Sequence, residues 1–182
     1  MPQHAGRIGL LDHDQVELSN LHRQTLHSEA RLGTHKADSI RENLSQLNSN
    51  VQFDTIKTKL TNKNCVEIVK DYDVIIDASD NAPTRYIVND ACVVAGKTLV
   101  SGSALKFDGQ LTVYNYQNET ACYRCLYPNA PPAGTVTNCS DGGVLGVVPG
   151  LIGSMQALET IKILVGLKPS YAGKHFFLFE QT

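Results

Sequence analysis

Apolar residues recur along this chain in two alternating periods, one that suits strands and one that suits helices. Residues 8–11 are a short apolar run ended by Asp12. Residues 36–47 place Ala37, Ile40, Leu44 and Leu47 on one helical face. Residues 51–60 read as extended and 62–70 as helical. The stretch 72–78 is almost unbroken apolar between two aspartates, the pattern of a parallel strand covered on both faces. A helix over 83–96 turns Ile87, Ala91 and Val94 inward, and Gly96 closes it as a C-cap. Residues 98–106 and 110–115 then pair as a hairpin through a tight turn at Asp108-Gly109. Residues 128–150, with Pro131-Pro132 and several glycines, form an irregular loop whose length argues for function. An apolar helix over 151–165 and an aromatic strand over 175–179 complete the pattern. The fold class is α/β, a parallel β-α-β half giving way to antiparallel pairing, with no internal repeat.

Composition narrows the class further. A chain of 182 residues with 42% apolar content suits a single globular domain. A formal net charge of −2 offers no electrostatic footprint for nucleic acid. No apolar run reaches the roughly 20 residues of a membrane helix, and residues 1–7 lack the hydrophobic stretch of a signal peptide. The expected location is therefore the cytoplasm. Five cysteines, an odd set in a reducing compartment, favour metal or nucleophile chemistry over a disulfide framework.

Four places carry candidate chemistry. At the end of the strand over 72–78 stand Asp77, Asp80 and Asn81, followed by Arg85, and ligands of open α/β sheets bind at such edges. Asp80 is placed to hold Mg²⁺ against a nucleotide phosphate; as an alternative, Asp80 and Asn81 only cap the next helix. Asp12 ends the first apolar run, where a dinucleotide-type fold keeps the acid that binds ribose hydroxyls. Only eleven residues precede it, and they contain no Gly-x-Gly-x-x-Gly turn. The expectation is a nucleotide-binding unit without its first strand, the alternative being that Asp12 and Asp14 are plain turn residues. Cys122-x-x-Cys125 is half of a tetrahedral zinc site. Cys139 or His175, or a partner chain, would have to add ligands, so weak zinc binding is expected; a redox pair is the poorer alternative. Cys139 lies beside Asp141, Gly142 and Gly143, in a loop able to bring a thiolate to an activated acyl group. Cys65 and Cys92 fall in apolar helical patterns and read as small buried hydrophobes.

Many ordered segments carry one resemblance. The run Asp12-His-Asp-Gln-Val-Glu17-Leu-Ser-Asn-Leu-His-Arg23-Gln24, then Gly33-Thr-His-Lys36, Asp77-Ala-Ser-Asp-Asn81, Val100-Ser-Gly-Ser103, Cys122-Tyr-Arg-Cys125 and Cys139-Ser-Asp-Gly-Gly-Val-Leu-Gly146 together resemble the ubiquitin-activating-enzyme-like adenylyltransferases of the MoeB/ThiF type. The wording around the cysteines is most similar to the eukaryotic branch that serves molybdopterin synthesis and tRNA wobble-uridine thiolation.

The resemblance implies a Rossmann-like mixed sheet. It also implies ATP-dependent adenylation of the C-terminal glycine of a small β-grasp, ubiquitin-like protein ending in Gly-Gly, which then accepts sulfur. It assigns Asp12 to the ribose, Ser19, Asn20 and Arg23 to the phosphate region, Lys36 to the phosphates, and Asp80 with Asn81 to Mg²⁺; Gln24 is a plausible neighbour. Cys139 matches the cysteine that forms a thioester or passes sulfur. Relatives work as homodimers that exchange an arginine, carry a second cysteine pair downstream for zinc, and in eukaryotes add a rhodanese domain. None of these is present in the 182 residues, so the domain is expected to be incomplete at both ends. A non-catalytic fragment or pseudoenzyme subunit that binds a ubiquitin-like partner is the alternative. A nicotinamide-dependent oxidoreductase would also use Asp12, but it explains neither Ser19-Asn20-Leu-His-Arg23 nor Cys139.

Overall fold

The computed structural model describes residues 6–131 and 143–178. The chain divides into two compact units, Met1–Lys59 and Leu60–Thr182.

In the first unit, β1 (Arg7–Leu11), α1 (Lys36–Leu47) and β2 (Gln52–Ile56) form a β-α-β element. The strands are parallel, in register from Arg7 opposite Gln52 to Leu11 opposite Ile56. The long connection from β1 to α1 holds two single 3₁₀ turns, Leu18–Asn20 and Glu29–Arg31. The helix starts where the sequence puts it, but it buries its first turn, with Lys36, Ala37 and Ser39, rather than its last. Leu47, expected on the buried face, is 83% exposed at the helix end. Extended structure also stops at Ile56, short of the expected residue 60.

The second unit runs α2 (Cys65–Lys70), β3 (Val74–Asp77), α3 (Ala82–Ala95), β4 (Thr98–Leu105), β5 (Asp108–Tyr114), α4 (Tyr123–Leu126), α5 (Val147–Leu164) and β6 (His175–Leu178). Its sheet has the order β3-β4-β5-β6, parallel in the first pair and antiparallel in the next two. Alternation along β4 distributes the core. Leu99 packs with Cys65, Val69, Val88, Ala91 and Cys92 from α2 and α3. Its neighbour Val100 joins Leu111 and Val113 on the other face, against Met155 and Ile163 of α5. Cys65 and Cys92 are buried as expected, and burial pushes the Cys92 thiol up to about 12, which leaves it inert.

Four expectations need correction here. In this sheet β3 is an edge strand with Ile76 49% exposed, so it is not covered on both faces. On α3, Val94 is 72% exposed; the buried face is Tyr86, Val88, Asn89, Ala91 and Cys92, because Asn89 is drawn inward to accept from the Tyr123 N–H at 2.7 Å. The hairpin turns at Lys106 and Phe107, since Leu105 already pairs with Asp108. Gly109 serves packing instead: a Cβ there would meet Ile152 of α5 at 2.8 Å. Lastly, α5 begins at Val147 rather than 151, with Pro149 tolerated in its first turn.

By length and composition α5 could cross a membrane, with a mean hydropathy of 1.2 over 18 residues, contrary to the expectation that no run is long enough. Here it packs Val148 and Ile152 inward, and it buries Glu159, which pairs with Lys162 at 2.6 Å and accepts from the Tyr171 N–H.

Candidate functional site

The first unit carries Asp12, Asp14, Ser19, Asn20 and Arg23 in the segment that follows β1, and Lys36 at the start of α1. Asp12 follows the strand; its own N–H donates to the Ile56 carbonyl, and its Oδ1 accepts from the Asp14 N–H at 2.9 Å. The chain at 14–16 is zipped to 33–36 by main-chain bonds, Val16 to Thr34, Gly33 to Val16 and Lys36 to Asp14. Gly33 meets this with a φ of +77°, a region open to glycine. The result brings Lys36, at the first turn of α1, to Asp14, with Nζ 3.1 Å from Oδ2. Asp14, held open in the sequence reading as a turn residue, is thus the counter-ion of the candidate phosphate lysine.

Ser19 and Asn20 occupy the first 3₁₀ turn. Asn20 is buried and its Oδ1 accepts from the Glu17 N–H, while the Ser19 hydroxyl donates to Glu17 Oε2 at 3.2 Å. Arg23 lies one turn on, where its Nη1 donates to the Ser19 carbonyl at 3.1 Å. Among the described residues Arg23 has no carboxylate partner. Gln24 follows with a buried Oε1 that accepts no hydrogen bond there. A guanidinium with no carboxylate partner among the described residues and a lysine are the residue types that bind phosphate oxygens.

The second unit carries Asp77, Asp80, Asn81 and Arg85 at the β3–α3 corner. Asp77 is only 2% exposed. Its Oδ1 accepts from the Ser79 N–H (2.9 Å) and hydroxyl (2.6 Å), and its Oδ2 accepts from Ser101 at 3.0 Å. Arg85 reaches back, Nε lying 3.4 Å from Asp77 Oδ2 and Nη2 donating to the Ser79 carbonyl at 3.1 Å. Asn81 is the N-cap of α3, accepting from the Thr84 N–H at 2.9 Å. Asn81 thus takes the capping role that the sequence left as the alternative, and its amide nitrogen donates to Asp80 Oδ1 at 3.3 Å. Asp80 itself is exposed, outside the cap bond. Arg85, Ser101, Thr112, Tyr114, Tyr123 and Tyr127 line a cavity of about 210 Å³ in this unit. Burial pushes the Tyr114 phenol up to about 12, so it enters that cavity as a neutral donor.

Cys122 and Cys125 stand on either side of the first turn of α4, Sγ to Sγ 3.4 Å. This fits one edge of a tetrahedral thiolate site, about 3.8 Å for zinc–sulfur bonds near 2.3 Å. Burial raises the Cys122 thiol, but hydrogen bonds from Cys125, Arg124 and Asn89 outweigh it, and the net direction is down. Arg124 anchors this turn with a two-pronged pair to Asp90 (2.6 and 2.8 Å) and lies 4.6 Å over the Tyr86 ring. His175, considered above as an extra ligand, instead pairs through Nδ1 with the Thr112 hydroxyl at 2.8 Å, and no metal-ligand cluster of the described residues includes the two cysteines. Cys139 lies outside the described residues.

The ThiF family model matches residues 5–182. The chain belongs to the ThiF family. The adenylyltransferase and sulfurtransferase MOCS3 of Xenopus laevis is 60% identical over 168 residues, 92% of this chain and 37% of that protein. The chain spans about two fifths of the length of the curated relatives it matches. Among solved structures, the microcin C7 biosynthetic enzyme MccB in complex with N-formylated MccA aligns with a TM-score of 0.83 at 22% identity, over 96% of this chain and 55% of that one. MccB of Escherichia coli with ATP gives 0.76 at 23% identity, over 96% and 53%. These likenesses establish the fold.

For this ThiF-family chain, sequence reasoning offered Asp14 only as a turn residue and Ser101 only inside a matched segment, and it did not single out Gln156. The signal for Gln156 was available, as a polar side chain amid the apolar run that becomes α5. It also missed His27, whose Nδ1 lies 2.9 Å from the Ser39 hydroxyl. Burial, then the charge of Lys36, lowers the His27 imidazole below its ordinary 6.5. The unfolded chain therefore takes up that proton first as pH falls. Stability should be complete above about pH 6.5 and decline below it. Denaturant midpoints across pH 5–8 should show the decline, and His27→Gln should flatten it.

Proposed function

We propose that this chain adenylates the C-terminal glycine of a small ubiquitin-like sulfur carrier with ATP, the activation step that precedes thiocarboxylation for molybdopterin synthesis and tRNA wobble-uridine thiolation. The observation that carries the reading is the 60% identity of this chain to a curated adenylyltransferase and sulfurtransferase, together with Lys36 set 3.1 Å from Asp14 and an Arg23 that has no carboxylate partner among the described residues. A free carboxylate is a poor acyl donor. Its oxygen attacks the α-phosphorus, the bond to the β-phosphate bridging oxygen breaks, and pyrophosphate leaves. Such chemistry rests on positioning and charge stabilisation. Asp12 holds the ribose hydroxyls, Lys36 and Arg23 neutralise phosphate oxygens, and Ser19 and Asn20 fix the turn that aims Arg23. Mg²⁺, when bound at Asp80 beside Asn81, offsets the triphosphate charge.

In the next step the Cys139 Sγ attacks the acyl carbon and AMP leaves, or a sulfur donor does the same. The Cys122 and Cys125 thiolates would supply two of the four ligands of a structural zinc ion. A homodimer is proposed from the outward apolar residues Val147, Leu151, Leu158 and Ile161 of α5, and a cytoplasmic location from the free cysteines. Intact-mass spectrometry of the chain with ATP and a Gly-Gly-terminated β-grasp protein should show the carrier heavier by one adenylyl group. A carrier lacking its last glycine should stay unmodified; adduct on both, or on neither with a folded chain, would sink the proposal.

A further inference from the structure

We infer that Gln156 is a positioning residue for Asp80, acting through Asp77; this rests on the reading of Asp80 as a nucleotide-site carboxylate. Gln156 sits on α5, far along the chain from the corner it supports, and is 4% exposed. Its Nε2 donates to two main-chain carbonyls at once, Asp77 at 2.8 Å and Val100 at 3.1 Å. These belong to the adjacent parallel strands β3 and β4, at the end of their ladder, where Asp77 lies opposite Ser101. Asp77 is the last β3 residue of the ladder, and the Gln156 side-chain amide gives its carbonyl a donor there.

Gly102 makes the approach possible, because a Cβ there would lie 2.5 to 2.8 Å from the Gln156 amide atoms. The next atoms up the chain are then fixed in turn. The Asp77 carboxylate is held by Ser79 and Ser101, and the Ser79 carbonyl by Arg85. The polar groups these bonds engage on Asp77 and Ser79 are tied down, whereas among the described residues the Asp80 carboxylate is found only against the Asn81 amide, and it is exposed. The arrangement holds the backbone of the corner and leaves its carboxylate available. It is the relation of an outer hydrogen-bonding shell to a ligating group.

The test measures Mg²⁺–ATP affinity of the whole chain by calorimetry, together with amide hydrogen exchange, for four variants. Gln156→Met keeps the length of the side chain without its donor, and Ser101→Ala removes one bond to Asp77 at a second, milder position. Each should weaken Mg²⁺–ATP binding about tenfold, with faster exchange at 78–84 and unchanged protection in β5. Ser101→Thr, which keeps the hydroxyl, should restore both, and Asn50→Ala, on an exposed loop, should alter neither. Equal affinity in Gln156→Met, or faster exchange spread evenly through β5, would overturn the positioning role. Should the unsubstituted chain bind no Mg²⁺–ATP, the reading of Asp80 falls, and the exchange at 78–84 alone decides whether Gln156 fixes the corner.

Discussion

Asp80→Ala is expected to cut ATP–pyrophosphate exchange by about a hundredfold or more, while Cys139→Ala leaves exchange at the unsubstituted level and stops sulfur transfer. The proposed function puts the two residues in successive half-reactions. Asp80 stands exposed just beyond the buried Asp77, at the sheet edge where a phosphate-bound cation would lie. Under the proposed function, losing it removes a charge that the adenylation step needs, whereas Cys139 would act after the acyl-adenylate exists, when pyrophosphate has already left. A Cys139→Ala chain that fails in exchange would contradict that division. So would an Asp80→Ala chain that exchanges normally. Circular dichroism of the Asp80→Ala chain should match the unsubstituted chain, since that side chain is exposed and outside the described core.

Gly102→Ala is expected to destabilise the second unit by roughly 2–3 kcal/mol, combining overpacking with lost hydrogen bonds. The added methyl would lie 2.5 Å from the Gln156 side chain, which is flexible in itself but pinned through two carbonyls. Moving it away strips the Asp77 and Val100 carbonyls of their donor. Urea denaturation should show the shift. The double variant Gly102→Ala with Gln156→Ala should cost less than the two single changes summed, by about 1 kcal/mol or more, because the second change removes the clash made by the first. Strict additivity would mean that Gly102 is not there to admit Gln156.

The order of elements was legible because the hydrophobic period switches cleanly at 36, 72 and 98, and the parallel and antiparallel halves follow from it. Faces and turns were less legible. Asp108-Gly109 carries the usual hairpin signal, yet the structure uses Gly109 to admit Ile152 and leaves the turn to Lys106, at a φ of +53°. The α3 helix is apolar nearly all round, so local pattern could not tell that Asn89 would be drawn inward by the Tyr123 N–H and Val94 left outside. At the candidate site, the strand-end positions of Asp12 and Asp80 were readable from the strands themselves. The roles of Ser19, Asn20, Arg23 and Lys36 came only with the family resemblance. Asp14, Ser101 and Gln156 act through partners 22 to 79 residues away in sequence, which no local period reports.

The most direct measurement is ATP–pyrophosphate exchange by the 182-residue chain with a β-grasp protein ending in Gly-Gly. Label entering ATP only when both the chain and the intact carrier tail are present is the predicted result. No exchange from a chain shown to be folded would contradict the account and leave carrier binding as its remaining role.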